Sequence, residues 1–295
     1  MKLLWNGELI DSKQTVISAL DHGFLYGMGL FETFRTYNGR PWLLERHAAR
    51  LSEGCEILGF AYMPDLDRME AAVRRVLEAN GLADGYIRWS ISAGEGSLGL
   101  PTVNDYDKPN EIVYAKELSL DHPAARKGKT LRLLHVRRST PEHGVRLKSF
   151  HYMNNIVAKG ELITSGAGPL TEGLFLDSSG YAAEGIVSNV FWVKDGALFT
   201  PSPETGLLPG ITRAYVLELA EGMGISIEQG LFEWKDLLNA DEVFLTNSIQ
   251  EIVPVTRVED KDGHGTATGG LAAAGPLTYQ LMLKYRAAAE GTGAE

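Results

Sequence analysis

Two Asn-Gly dipeptides near the start of the chain place the strongest constraint on its fold. Asn6-Gly7 and Asn38-Gly39 each separate two short stretches with strand-type sequence. A type I′ turn requires positive φ at both central residues, which Asn and Gly adopt at little cost, and its twist matches that of paired antiparallel strands. The sequence therefore predicts two hairpins in a β-rich N-terminal part.

Helical and strand-type patterns follow one another along the rest of the chain. Apolar residues recur with a helical period over about residues 44–58 and 65–80, and residues 86–92 alternate as in a strand. Further strand and helix patterns occur between residues 131 and 289. This mixture in both halves of the chain predicts an α+β fold.

A stretch without periodicity divides the chain into two predicted domains. Residues 119–130 gain Pro, Gly and charged residues and lose the alternation of their neighbours, as linkers do. We therefore predict a smaller N-terminal α/β domain over residues 1–118, this linker, a larger C-terminal domain over residues 131–290 that contains Lys148, and a tail over residues 291–295.

The composition limits the kinds of partner. The chain has 295 residues and a net charge of −10, which argues against a broad nucleic-acid surface and against attraction to anionic lipids. No apolar run is long enough to span a bilayer, and the N-terminus turns polar too early for a signal peptide. We expect a small-molecule partner, no membrane partner and a cytoplasmic location. The single cysteine, Cys55, is expected in a helix core.

Lys148 is the residue with the clearest chemical meaning. A lysine can hold an aldehyde cofactor covalently and then serve as a base during catalysis. Tyr152 follows at the start of a predicted helix, where its spacing to Ile156 and Ile163 places it on a buried edge, and its hydroxyl would donate to such a cofactor. Taken alone, Lys148 would be read as a surface lysine and Tyr152 as a core residue.

A carboxylate and an anion site complete this chemistry. Glu184 lies in a weakly polar stretch where an unpaired carboxylate is costly to bury, and a carboxylate can keep a pyridine nitrogen protonated. Gly210, Ile211 and Thr212 begin a predicted helix, and a helix N-terminus binds phosphate. Together with Lys148, these residues indicate a site for pyridoxal 5′-phosphate, although each also has an ordinary structural explanation.

Three further residues are candidates for contacts with the same anion. The turn that follows residue 246 offers the hydroxyl group of Ser248 and the backbone N–H group of Ile249. Arg50 lies on the polar side of a predicted helix and can pair with a phosphate. The histidines show no spacing typical of metal ligands, so no metal site is predicted.

Several separated motifs, in a fixed order, resemble one known family. They are Asp21-His22-Gly23 through Arg35, His47 to Leu51, Lys148, Glu184-Gly185 with Ser188-Asn189, Leu208 to Arg213, and Asn247-Ser248 to Val255. In these motifs the chain resembles the fold type IV pyridoxal phosphate enzymes. That family includes branched-chain aminotransferases, D-amino acid aminotransferases and aminodeoxychorismate lyases.

The resemblance implies a fold and a set of contacts. It implies a two-domain fold like that of D-amino acid aminotransferase, a cofactor at the domain interface and a homodimer. The cofactor-binding residues that it implies, or that its motifs include, are Arg50, Lys148, Tyr152, Glu184, Ser188, Asn189, Gly210, Ile211, Thr212, Ser248 and Ile249.

Departures from two patterns indicate the branch of the family. The D-amino acid branch traps the substrate carboxylate with a tyrosine and an Arg-x-His pair, whereas the matching positions here look like Phe31 and residues 93–95. The branched-chain branch follows its lysine with Gly-Gly-Asn-Tyr, whereas Ser149 follows the lysine here. With its Thr246-Asn247-Ser248 turn, the chain looks most like the lyases of Gram-positive bacteria.

The resemblance therefore predicts an aminodeoxychorismate lyase, which eliminates pyruvate from 4-amino-4-deoxychorismate to give 4-aminobenzoate for folate biosynthesis. Lys148 is the predicted base, and Phe31, Arg88 and Asn247 are predicted to contact the amino substrate. A branched-chain or D-amino acid aminotransferase is the main alternative, because both reactions begin with the same proton removal. A non-catalytic small-molecule binding protein on an enzyme scaffold is a remote alternative.

Overall fold

The computed structural model describes residues 1–15, 17–101, 106–119, 121–268 and 274–292. The chain forms two compact units, of which the first comprises Met1–Leu120 and Leu147–His151, and the second comprises Asp121–Arg146 and Tyr152–Glu295. Residue 120 of the predicted linker and residues 293–295 of the predicted tail lie outside the described residues.

The first unit is a six-stranded antiparallel sheet with three helices. Its strands are β1 (Lys2–Trp5), β2 (Glu8–Asp11), β3 (Gly29–Tyr37), β4 (Arg40–Pro41), β5 (Gly85–Ser92) and β6 (Asn110–Glu117). Its helices are α1 (His22–Tyr26), α2 (Leu44–Leu58) and α3 (Leu66–Ala79). The strand order is β2-β1-β6-β5-β3-β4.

The two predicted hairpins are confirmed. The φ angles are 47° at Asn6 and 83° at Gly7, and 53° at Asn38 and 75° at Gly39. Both pairs have the positive φ angles that a type I′ turn requires. These turns connect β1 to β2 and β3 to β4.

Helices α2 and α3 share one apolar core with the sheet. Leu51 and Cys55 of α2 and Val73 of α3 are buried in the same cluster as Trp89 of β5. The predicted position of Cys55 in a helix core is thus confirmed, and burial raises the pKa of its thiol to about 12. The thiol is therefore uncharged at neutral pH.

Residues 147–151 return to the first unit and run beside β3. The N–H group of Phe31 donates to the carbonyl oxygen of Lys148 at 2.9 Å, and the N–H group of Phe150 donates to Gly29 at 2.9 Å. Sequence reasoning placed Lys148 in the C-terminal domain. The structure differs, because these two bonds attach the lysine's segment to the sheet of the first unit.

The described residues of the second unit form a nine-stranded mixed sheet, four α-helices and two short 3-10 helices. Its strands are β7 (Lys129–Leu133), β8 (Thr171–Leu176), β9 (Ala182–Gly185), β10 (Asn189–Lys194), β11 (Ala197–Pro201), β12 (Ile227–Gly230), β13 (Glu242–Asn247), β14 (Glu251–Glu259) and β15 (Gly265–Ala267). Its helices are α4 (Met153–Thr164), α5 (Ile211–Gly222), α6 (Trp234–Leu238) and α7 (Pro276–Glu290).

The order of this sheet is β12-β11-β10-β13-β14-β7-β8-β9, with β15 paired to β14. Three pairs are parallel, namely β11 with β12, β14 with β7, and β7 with β8. Mixed strand directions together with helices in both units confirm the predicted α+β class. No helix among the described residues is both long enough and apolar enough to cross a membrane.

Helix α4 does not bury the edge that its sequence pattern indicated. Ile156 is 66% exposed and Ile163 is 69% exposed, whereas Asn155, Ala158 and Leu162 are buried. The predicted buried edge was therefore wrong. The buried side of the helix is thus formed by Asn155, Ala158 and Leu162, whereas Met153, Ile156, Val157 and Ile163 are exposed.

Candidate functional site

In the first unit, two cations lie against the ring of Phe31. The Nζ atom of Lys148 is 4.7 Å from the ring centre, and the guanidinium carbon of Arg88 is 3.7 Å from it. Phe31 is buried. Lys148 and Arg88, which come from separate segments of the chain, therefore both contact Phe31. The sequence had singled out all three residues.

Arg88 is held by polar groups of its own strand. Its Nε atom donates to the hydroxyl oxygen of Ser90 at 3.1 Å. Burial raises the pKa of the Tyr86 hydroxyl, while the positive charge of Arg88 opposes that effect. Within the described parts of the chain, no carboxylate lies within ion-pairing distance of Arg88. This guanidinium is thus placed to bind a carboxylate from a ligand.

The neighbouring residue of β3 points to the other face of the sheet and forms a buried ionic cluster. Glu32 accepts from Nε of Arg50 at 2.7 Å, from Nη2 of Arg50 at 2.7 Å and from Nδ1 of His47 at 2.6 Å. Burial raises the pKa of Glu32, but Arg50 and His47 outweigh it and bring that pKa to about 2. The fork of Arg50 is therefore fixed by an internal carboxylate that the sequence did not predict.

In the second unit, Glu184 is buried and hydrogen-bonded at both carboxylate oxygens. Nε of Arg138 donates to Oε1 at 2.7 Å, and the N–H group of Leu208 donates to Oε2 at 3.1 Å. Burial is the larger effect and raises the pKa of Glu184 above its usual value, although the charge of Arg138 opposes this shift. The sequence analysis predicted that a buried Glu184 would need a partner, but it did not identify Arg138, which lies 46 residues away in sequence.

The start of α5 offers hydrogen-bond donors to an anion. Gly210 is the N-cap residue and no side chain among the described residues caps the helix there. The first N–H groups of a helix have no partner within the helix, and the helix dipole favours a negative charge at this end. The hydroxyl of Thr212 lies 3.3 Å from that of Ser248. The structure thus brings two of the predicted phosphate contacts together.

The turn that carries Ser248 is stabilised from within. Oδ1 of Asn247 accepts from the N–H groups of Ile249 at 3.0 Å and of Gln250 at 2.7 Å. The N–H group of Ile249, which we predicted to face an anion, therefore bonds to the side chain of Asn247. Asn247 itself, a predicted substrate contact, uses this oxygen to shape the turn.

A buried glutamate in an unusual backbone conformation follows this turn. Glu251 has φ of 63°, a left-handed value that is unfavourable for residues with a side chain. Its carboxylate accepts from Arg286 of α7 at 2.7 Å and from Arg126 at 3.3 Å. Two arginines thus hold the strained residue that ends the turn.

The remaining predicted cofactor contacts are buried or half-buried. Asn189 donates from Nδ2 to the carbonyl oxygen of Leu208 at 2.9 Å, beside Gly210. The hydroxyl of Ser188 is buried and has no hydrogen-bond partner among the described residues. Tyr152 is the N-cap residue of α4 and is half-buried.

Among the residues that the structure describes, one group of possible metal ligands lies elsewhere, on a turn near the surface. The side chains of Asp260, Asp262 and His264 lie close together. Oδ1 of Asp260 accepts from the N–H groups of Asp262 at 3.0 Å and of His264 at 2.8 Å. These hydrogen bonds form a turn, and the turn explains why the three side chains lie close together.

Comparisons with known proteins place these features in context. Residues 29–258 match the family described as Amino-transferase class IV. An aminodeoxychorismate lyase of Bacillus subtilis (strain 168) is 40% identical over 95% of this chain and 94% of its own length. A branched-chain-amino-acid aminotransferase of Escherichia coli (strain K12) is 29% identical over 96% of this chain and 91% of its own.

A solved structure shows the same fold. The branched-chain amino acid aminotransferase from Thermobaculum terrenum, in its PLP-bound holo-form, has a TM-score of 0.83 and 25% sequence identity. The alignment covers 99% of this chain and 94% of that one. The predicted two-domain fold type IV class is confirmed by this likeness.

Proposed function

This chain belongs to the class IV aminotransferase family, and we propose that it is a pyridoxal 5′-phosphate-dependent aminodeoxychorismate lyase. The observation that carries the choice of reaction is the 40% identity to the Bacillus subtilis lyase over nearly the full length of both chains. The reaction eliminates pyruvate from 4-amino-4-deoxychorismate and leaves 4-aminobenzoate, a precursor for folate biosynthesis.

The residues present fit this cofactor. The uncapped start of α5, with the hydroxyls of Thr212 and Ser248 3.3 Å apart, matches the needs of a phosphate group. The buried hydroxyl of Ser188, which has no hydrogen-bond partner in the described part of the chain, and the buried carboxylate of Glu184 are further polar groups in the same unit. When bound, pyridoxal 5′-phosphate supplies an aldehyde that captures amines and a protonated ring that takes up negative charge.

The chain's own residues then have distinct tasks. Glu184 would accept a hydrogen bond from the ring nitrogen, and Gly210, Ile211, Thr212 and Ser248 would hold the phosphate. Lys148 would hold the aldehyde group of the cofactor and, as the base of the reaction, would take the proton from the substrate carbon that carries the amine. The C–O bond to the enolpyruvyl group breaks, its electrons stay on oxygen, and Lys148 or water protonates the methylene carbon to give pyruvate. Formation of the aromatic ring drives this step.

Arg88 supplies the contact for a substrate carboxylate. It lies on the same Phe31 ring as Lys148, so a carboxylate on Arg88 holds the substrate near the base. Stacking on Phe31 and the bond to Ser90 reduce the number of conformations available to its side chain. Such restraint lowers the entropy cost of binding.

The enzyme also works as a homodimer in the cytoplasm. The exposed face of α4 carries the apolar side chains of Met153, Ile156, Val157 and Ile163. A contiguous apolar face is unfavourable in water and is typical of an interaction surface. A second copy of this chain is the proposed partner. The location rests on sequence reasoning and stays a prediction.

An amino acid aminotransferase is the second candidate function. Its support is the likeness to the Escherichia coli enzyme, which is 29% identical, and the TM-score of 0.83 to the Thermobaculum terrenum enzyme. Both candidates require Lys148 to remove the same proton. They differ in the next step. The lyase reaction breaks the C–O bond to the enolpyruvyl group and protonates its methylene carbon, whereas an aminotransferase keeps the carbon skeleton and converts the amino acid to a keto acid.

Product analysis separates these candidates. Purified protein is given 4-amino-4-deoxychorismate and, separately, amino acids with 2-oxoglutarate. We expect 4-aminobenzoate and pyruvate in equal amounts in the first reaction, and little keto acid in the second. Keto acid without 4-aminobenzoate would show an aminotransferase instead. The variant Lys148→Ala should form neither product and should lose the visible absorbance of the lysine-bound cofactor. A non-catalytic binding protein would not require a covalent bond to a lysine, so this loss would argue against that alternative.

A further inference from the structure

Arg138 connects Glu184 to the start of helix α4. Its Nε atom donates to Oε1 of Glu184 at 2.7 Å, and its Nη1 atom donates to Oδ1 of Asn154 at 2.8 Å and of Asn155 at 3.2 Å. Its guanidinium carbon also lies 5.2 Å from the centre of the Phe175 ring. The side chain is buried and is therefore fixed on several sides.

Two further arginines, Arg146 and Arg213, lie close enough to Glu184 to interact with its charge. Nε of Arg146 lies 4.0 Å from Oε1 of Glu184, and the charge of Glu184 also acts on buried Arg213. Burial lowers the pKa of Arg146 and that of Arg213 to about 10 each. The positive charge of Arg138 further lowers the pKa of Arg146. With the Leu208 N–H group on Oε2, both oxygens of the carboxylate receive donors that favour its charged form.

Of the three arginines, Arg138 is the one whose side chain hydrogen-bonds to the Glu184 carboxylate in the described structure. Arg146 uses its Nε atom on the carbonyl oxygen of Gly206, and Nη2 of Arg213 bonds to Pro201 and Gln229. Neither makes a hydrogen bond to Glu184 among the described residues. The position and charge of Glu184 therefore depend on Arg138 more than on the other two arginines.

We propose that Arg138 is a positioning residue that keeps the Glu184 carboxylate ionised and oriented, so that Glu184 can accept a hydrogen bond from a protonated ring nitrogen. A carboxylate oxygen has two lone pairs, so Oε1 and Oε2 each retain an acceptor position beyond the bonds they already make. A neutral carboxyl group would stay a poor acceptor. This inference rests on the proposed function, because it assumes that a pyridine ring faces Glu184.

The first test measures the protonation of Glu184 without any reaction. In the full-length protein freed of cofactor, infrared difference spectra against Glu184→Gln report the carboxyl and carboxylate bands across pH. We expect Arg138→Gln to raise the titration midpoint by about one to three pH units. Arg132→Gln, which removes an arginine paired with Glu259 in the same unit, should leave that midpoint unchanged. An unchanged midpoint in Arg138→Gln would overturn the proposal.

A conservative variant guards against a folding defect. Arg138→Lys keeps the positive charge, and we expect its midpoint to lie nearer to that of the wild type than to that of Arg138→Gln. If Arg138→Gln does not fold, Arg138→Met in the same series of pH measurements takes its place, and a midpoint of Arg138→Lys equal to that of Arg138→Met would count against a role of the charge.

The second test uses the ring nitrogen itself. We compare the dissociation constants of pyridoxal 5′-phosphate and of its analogue in which CH replaces the ring nitrogen. We expect the preference for the natural cofactor to fall about tenfold in Arg138→Gln, in line with the loss of one charge-assisted hydrogen bond. An unchanged preference would overturn the proposal.

The outcomes also distinguish the proposed lyase reaction from the proposed role of Arg138. A shifted midpoint with no 4-aminobenzoate refutes the lyase reaction alone, whereas an unshifted midpoint with normal product refutes the role of Arg138 alone.

Discussion

The guanidinium carbon of Arg88 lies 3.7 Å from the centre of the Phe31 ring, closer than the other cation on that ring. The two residues belong to adjacent strands, β5 and β3. Contact with the ring shields part of the guanidinium from water, and a charge-assisted bond is stronger in such a place. The pair therefore forms a preorganised contact for a negatively charged ligand group.

Arg88→Gln should weaken binding of the substrate. Loss of a charge-assisted contact of about 1.5–3 kcal/mol corresponds to a decrease in kcat/KM of roughly 10- to 150-fold. Steady-state kinetics with 4-amino-4-deoxychorismate measure this, and the control Ser90→Ala should lose much less because it removes only a bond that orients Arg88. A normal kcat/KM in Arg88→Gln would assign the arginine a purely structural role.

Glu32→Gln should destabilise the protein in a pH-dependent manner. The pKa of Glu32 is lowered from 4.5 to about 2, so its stabilisation is present above pH 4.5 and is lost as the pH falls toward 2. This pKa difference corresponds to about 3 kcal/mol of unfolding free energy at neutral pH. Urea unfolding at pH 7 and at pH 3 tests it. The loss should be smaller at pH 3, and exposed Glu45→Gln on α2 should show little loss at either pH.

Gly210→Ala should disturb the proposed phosphate site by steric conflict. A Cβ atom at residue 210 would overlap Oδ1 of Asn189, whose side chain is buried and bonded to Leu208. Overpacking of this kind costs about 1–3 kcal/mol, so the cofactor dissociation constant should rise roughly tenfold. Gly222→Ala is the matched control at the end of the same helix, because no atom lies within 4 Å of its Cβ position. Equal affinities in both variants would argue against the site.

Ile156→Asp should convert the proposed dimer to monomers. Ile156 is 66% exposed at the centre of the apolar face of α4, and a charge there would have to be buried in an interface. Sedimentation velocity of the purified variant measures its mass. Leu283→Asp introduces the same charge at a 40% exposed leucine on α7 and should leave the assembly intact. If the wild-type protein sediments as a monomer, the proposed homodimer is wrong.

Local sequence rules predicted the elements of this fold well. The Asn-Gly turns, helices α2, α3 and α5, and most strands of the second unit were anticipated because their signals lie within a few neighbouring residues. The exception was α4, where the apolar stripe indicated burial but lies exposed. A hydrophobic pattern identifies a face that avoids water, but it does not identify the surface that covers it.

The site was predicted less completely, because several of its contacts join residues far apart in the chain. Lys148, Glu184 and Thr212 stand in recognisable motifs. Arg138 has no such signal, since its pairing with Glu184 spans 46 residues. The bond between Asn247 and Ile249 is local and could have been foreseen from the tendency of asparagine to bond to the backbone two residues ahead.

The return of residues 147–151 to the first unit has a consequence for synthesis and for engineering. At about 5–20 residues per second, a ribosome needs roughly two to six seconds to proceed from residue 120 to residue 151. The segment that runs beside β3 can join the first unit only after that interval, when the start of the second unit has already been made. A fusion or exchange of segments cut at residue 120 would therefore transfer the sheet without Lys148, so the first unit is not a transplantable module.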